Sequence, residues 1–102
     1  MKSYGLVIES KAEDDILIAY DYYKGIYGHL SEKFAATLEA TLAQIQQNPF
    51  YQVKYKDIRC LPLKKFPYSL HYTIDEKYDE VHILALVHTA SDTDKTWMWQ
   101  EE

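Results

Sequence analysis

The stretch Phe66-Pro67-Tyr68-Ser69-Leu70-His71-Tyr72-Thr73-Ile74 alternates strictly. Phe66, Tyr68, Leu70, Tyr72 and Ile74 share one face; Pro67, Ser69, His71 and Thr73 share the other. A period of two is that of a β-strand with one buried face. Tyr68 and Tyr72 therefore belong to the core, and His71 to the opposite, exposed face. Asp75 to Glu80 reads as a polar hairpin loop. Val81 to His88 is apolar on both faces apart from its histidine ends, which suits a central strand. Just upstream, Val53-Lys54-Tyr55 and Ile58-Arg59-Cys60-Leu61 are short extended pieces around a turn at Lys56-Asp57.

Before residue 50 the period changes. Leu30, Phe34, Leu38, Leu42 and Ile45 form a helical stripe, so a helix runs from about Leu30 to Gln47. Asn48-Pro49 ends it, because the residue before proline disfavours helical backbone. An earlier helix runs from about Lys11 to Tyr27. Its inner stripe is Ala12, Ile16, Ala19, Tyr20, Tyr23 and Tyr27, and Gly28 is a natural stop. Ser10-Lys11-Ala12-Glu13 has the form of a capping box. Asp14 and Asp15 add favourable charge in the first turn. Tyr4 to Ile8 is a short first strand. The two helices are a few residues apart, which makes them an antiparallel hairpin. The order β-α-α-β-β-β is α+β, with the hairpin packed on one face of a small, mostly antiparallel sheet.

A chain of 102 residues is one domain, 1–102. Its single cysteine, Cys60, excludes an intrachain disulfide and a cysteine-built zinc site. No apolar run suits a signal peptide or a membrane span. The chain is expected to be soluble, unprocessed and cytoplasmic.

Eleven bases face sixteen acids, for a net charge of −5, and Arg59 is the sole arginine. That balance excludes a generic nucleic-acid binder. The charge is unevenly spread. Lys54, Lys56, Arg59, Lys64 and Lys65, opposed by Asp57 alone, give the window 54–65 a charge of +4 and leave −9 for the rest. Such a run protects a sheet edge from aggregation, or binds an anion or an acidic partner. Both can hold together.

The ordered motifs resemble the RelE/ParE superfamily, the plasmid-stabilisation toxins of bacterial type II toxin–antitoxin modules. The matching pieces are Ser10-Lys11-Ala12-Glu13-Asp14-Asp15, Ala19-Tyr20-Asp21-Tyr22-Tyr23, Asn48-Pro49 and Ile58-Arg59. They continue with Lys65-Phe66-Pro67-Tyr68-Ser69-Leu70-His71-Tyr72 and Ile83-Leu84-Ala85-Leu86-Val87-His88, then Asp92 and Trp97. The resemblance spans about residues 4 to 97. It implies a helical hairpin on a small sheet. It also implies a cognate antitoxin whose C-terminal segment folds onto the hairpin and sheet. Leu17, Ile18 and Tyr22, outside the inner stripe, are the candidate antitoxin contacts.

The superfamily has two main activities: RelE-like members cut messenger RNA in the ribosome, and ParE-like members poison DNA gyrase. Cleavage needs a base, a cation for the phosphate and an acid for the leaving oxygen. The candidates are Arg59, Lys64 and His88, with Lys65 and His71 behind them and Tyr68 or Tyr72 as weak acids. The family usually continues His-x-x-Arg-Asp-Pro. This chain reads His88-Thr89-Ala90-Ser91-Asp92-Thr93, and a serine lacks the guanidinium's fixed charge and bidentate grip. A chain of −5 is also repelled by ribosomal RNA. The resemblance therefore implies a ParE-like toxin that inhibits gyrase by binding. The alternatives are a ribosome-dependent endoribonuclease and a degenerate, non-toxic interaction module. No cofactor and no metal are expected, since His71, His82 and His88 form no ligand motif. No sequence-specific nucleic-acid binding is expected of the chain alone. Of Trp97 and Trp99, at least one is expected to be buried.

Overall fold

A computed structural model describes residues 3–89. The expectations for Ser91, Asp92, Trp97 and Trp99 lie outside the described residues. The elements are β1 (Gly5–Ile8), α1 (Ser10–Ile26), α2 (Gly28–Gln47), β2 (Val53–Tyr55), β3 (Ile58–Pro62), β4 (Tyr68–Asp75) and β5 (Glu80–His88). The strands form one sheet in the order β1-β5-β4-β3-β2. Only β1–β5 is parallel; the other pairs are antiparallel. The fold is the expected α+β arrangement of a helical hairpin on a mostly antiparallel sheet. The pieces on either side of Lys56-Asp57 are separate strands.

Alternation in β4 works as its pattern dictates. Leu70 and Tyr72 are fully buried against the helices, beside Phe34 and Ile45 of α2 and Val81 and Ile83 of β5. The strand itself begins at Tyr68, because Phe66 and Pro67 form a turn in which the Tyr68 amide donates to the Phe66 carbonyl at 2.8 Å. Within β5 the register shifts: His71 faces Ala85 while Tyr72 faces Ile83. Leu84 is thus an extra residue, and the bulge turns both Ile83 and Leu86 toward the core. At the other end of the core, the rings of Tyr23, Phe34, Phe66 and Tyr68 meet at centroid distances of 5.1–6.3 Å. Each such pair adds about 0.5–1.5 kcal/mol beyond burial, and this cluster joins both helices to the β3–β4 loop.

The expected capping box does not form. The N-cap is Glu9, with no side-chain cap, and Ser10 is already helical. The reason lies in the sheet. The Glu9 amide donates to the Ile83 carbonyl at 2.9 Å, the last rung of the parallel pairing. The Glu9 carboxylate lies 3.0 Å from His82 Nδ1. Strand passes to helix with no residue to spare. Asp15 likewise does more than favour the helix dipole: its Oδ2 accepts from the Leu86 amide at 3.1 Å. The helices are joined by Tyr27 alone, which is extended and 67% exposed, so it leaves the expected inner stripe. Gly28 opens α2 instead of stopping α1.

His71 is 2% exposed, not a surface residue. Tyr55 of β2 closes over it, its hydroxyl 3.0 Å from His71 Nδ1. Burial pushes the imidazole down to about 4, so it is neutral near pH 7. Lys56 and Lys65 have φ of 51° and 67°. For a side chain with a Cβ, left-handed backbone costs about 1–2 kcal/mol.

Two stability predictions follow from these contacts. The Tyr72 hydroxyl, fully buried, donates to the Pro49 carbonyl at 2.8 Å. Tyr72→Phe leaves that carbonyl unsatisfied and should lower the unfolding free energy by about 1–3 kcal/mol in urea denaturation. The Glu9 and Glu80 carboxylates raise the His82 pKa above its ordinary value, Glu9 most. A raised folded-state pKa gives stability that is complete below the unfolded value of about 6.5 and is lost as pH rises through the folded one. The gap in unfolding free energy between wild type and His82→Gln should therefore shrink as pH rises above about 6.5, and modestly, because the pair is partly exposed.

Candidate functional site

Helix α1 packs over β5 through small and aromatic side chains. Ala12, Ala19 and Tyr23 are buried, at helical spacing. The same spacing carries a second stripe to the outside. Ile18, Tyr22 and Ile26, at i, i+4 and i+8, are 70%, 61% and 49% exposed, with Leu17 beside them at 57%. Asp14 and Asp21 flank the stripe and are exposed. The sequence candidates Leu17, Ile18 and Tyr22 thus lie together on one exposed helix surface. Ile26 was missed, although its spacing from Tyr22 was legible. Scattered exposed hydrophobes need no explanation, whereas these four lie together on one helix.

The cleavage candidates fall in different places. Arg59 stands opposite Tyr72 in the β3–β4 ladder. Its Nη1 donates to the Tyr51 carbonyl at 3.0 Å, and its guanidinium lies 5.4 Å from the Phe50 ring centre. His88 ends β5 opposite Tyr68, with the two rings edge to face at 5.0 Å. Tyr68 and Tyr72 are four residues apart on β4, so Arg59 and His88 are separated by about 13 Å along the strand direction. Lys64 is exposed in the loop after β3, at the same end of the sheet as His88. Lys64 and His88 share an end; Arg59 does not join them.

The tyrosines are poor acids here. Burial pushes the hydroxyls of Tyr23 and Tyr68 up, and that of Tyr72 up to about 12. Among the described residues, Asp75, Glu80 and His82 bring ligand atoms within 4.8 Å of one another, enough to hold a metal ion. Histidine spacing could not reveal that trio, because the β4–β5 hairpin supplies two of its members as carboxylates. Also among the described residues, no helix is long and apolar enough to cross a membrane.

No curated protein matches the sequence at a significant level. Among solved structures, a chain from the chromosomal ParDE TA system of P. aeruginosa superposes with a TM-score of 0.71 at 21% identity. That match covers 84% of this chain and 96% of the other. A chain of the toxin–antitoxin complex RelBE2 from Mycobacterium tuberculosis gives 0.57 at 19% identity, covering 86% and 93%. Identities this low establish the shared fold. The family described as the ParE toxin of the type II toxin–antitoxin system parDE matches residues 6–93, and this chain belongs to it.

Proposed function

We propose that this chain is a toxin that acts by binding, as an inhibitor of DNA gyrase in the cytoplasm, and that a cognate antitoxin neutralises it. One observation carries the choice of binding over RNA cleavage. The sole arginine, Arg59, is held by the Tyr51 carbonyl and stands apart from His88 and Lys64. Cleavage by 2′-hydroxyl attack needs its base, cation and acid around one phosphate. The Tyr72 hydroxyl supports the same reading, since it is buried and committed to the Pro49 carbonyl. Arg59, Lys64 and His88 would form the site only if the chain cut RNA.

The antitoxin reading is supported by the exposed stripe on α1. The two structural neighbours both come from toxin–antitoxin systems. An amphipathic antitoxin segment would cover Leu17, Ile18 and Tyr22, with Ile26 extending the contact.

Induced expression in a bacterial host should stop growth and raise the SOS response. Co-expression of the cognate antitoxin should restore growth. Arg59→Ala, provided it folds, should remain toxic. Messenger RNA cut in the ribosomal A site would overturn the gyrase reading, and absence of any arrest would favour a non-toxic interaction module. Ile18→Glu combined with Tyr22→Ala should weaken antitoxin binding by about 100-fold or more, as loss of central contacts does.

A further inference from the structure

A groove of about 570 Å³ runs between α2 and the end of β3. Its walls are Ala36 and Ala40 on one side and Leu61 and Pro62 on the other. It continues into a second depression of about 470 Å³, bounded by Leu30, Lys33 and Phe66, and the two share Ala36, Thr37 and Lys65. Together they follow α2 from Leu30 to Gln44, about 20 Å at the helical rise. The alanines at i and i+4 allow a neighbouring backbone to approach closely.

The rim is basic. Lys33, Lys64 and Lys65 line the groove, and among the described residues no carboxylate does. This concentration of like charge sits in a chain of net charge −5. Lys65 is also held in left-handed backbone, with φ 67°. Glycine would be at ease there, so the position keeps a charged side chain against the local conformational preference. The groove is also distinct from the α1 stripe: α1 packs over β5, whereas the groove lies over β3, with β4 between.

From these observations we infer that the groove is a second docking site, which takes an acidic amphipathic helix of the toxin's target protein. The length suits about four helical turns. The apolar walls take the segment's hydrophobic face, and the three lysines meet carboxylates on its flanks. The identity of the occupant as the target rests on the toxin reading above; the chemistry of the groove does not.

A labelled helical peptide of about sixteen residues, leucine on one face and glutamate on the other, is titrated into the ¹⁵N-labelled chain. Amide shifts should concentrate at residues 30–44 and 61–66. The same peptide with lysine replacing glutamate should bind at least about tenfold more weakly. Lys65→Gly should raise the melting temperature, because it relieves the backbone, yet weaken the acidic peptide several-fold. A purely structural lysine would not separate those two readouts. Shifts elsewhere, equal binding of the two peptides, or unchanged affinity in Lys65→Gly would overturn the site. In cells, Ala40→Trp, which fills the groove, should abolish growth arrest while the antitoxin still co-purifies. Loss of antitoxin capture instead would overturn the target as occupant. If the wild-type chain causes no arrest, the toxin reading fails, and the peptide titration still decides the groove.

Discussion

The buried hydroxyl of Tyr72 is the constraint around which the rest is arranged. A phenol in a fully apolar interior must find a partner, and Tyr72 finds the Pro49 carbonyl. That bond pins the end of α2 to the middle of β4. Pro49 is itself buried, so the chain turns there and cannot slide. The Tyr51 carbonyl that follows is then positioned to accept from Arg59, which stands beside Tyr72 in the ladder. From the same turn, Gln46 reaches back: its carbonyl accepts from the Tyr4 amide, and its side-chain amide donates to the Tyr4 carbonyl. The segment from Gln46 to Tyr51 thereby ties the second helix to the start of β1, to β3 and to β4.

What the sequence made legible was whatever depends on period. The stripe Leu30, Phe34, Leu38, Leu42 and Ile45 and the alternation from Tyr68 to Ile74 both packed as their spacing requires. What stayed hidden depends on partners far along the chain. Ser10 and Glu13 have the local form of a capping box, but the Ile83 carbonyl and His82 lie more than seventy residues from Glu9 and make Glu9 both the last rung of the sheet and the N-cap. His71 looks outward by parity, yet it is buried, with Tyr55 returning over it. Of the site candidates, the shared exposed face of Leu17, Ile18 and Tyr22 on α1 was legible because helical spacing predicts which residues lie together. The role of Arg59 was not, because its carbonyl partner is set by the Pro49 turn. The groove beside α2 was invisible for the same reason: β3 supplies one wall and a helix the other.

The two surfaces differ in chemistry as well as place. The α1 stripe is apolar and edged by Asp14 and Asp21, whereas the groove over β3 is edged by three lysines. A net charge of −5 averages over both and describes neither. Opposite rims of this kind would disfavour exchange of occupants between the two surfaces.

The hydrogen bond from the Leu86 amide to Asp15 also bears on how copies of this chain behave in a crowded solution. Among the described residues, β1 pairs with β5 only as far as Ile83, although β5 continues to His88. The remaining length is where strands of neighbouring molecules could stack end to end. Asp15 occupies a donor there and sets a carboxylate on the path of any arriving backbone. A carboxylate thus satisfies one of the amides that a longer first strand would have paired.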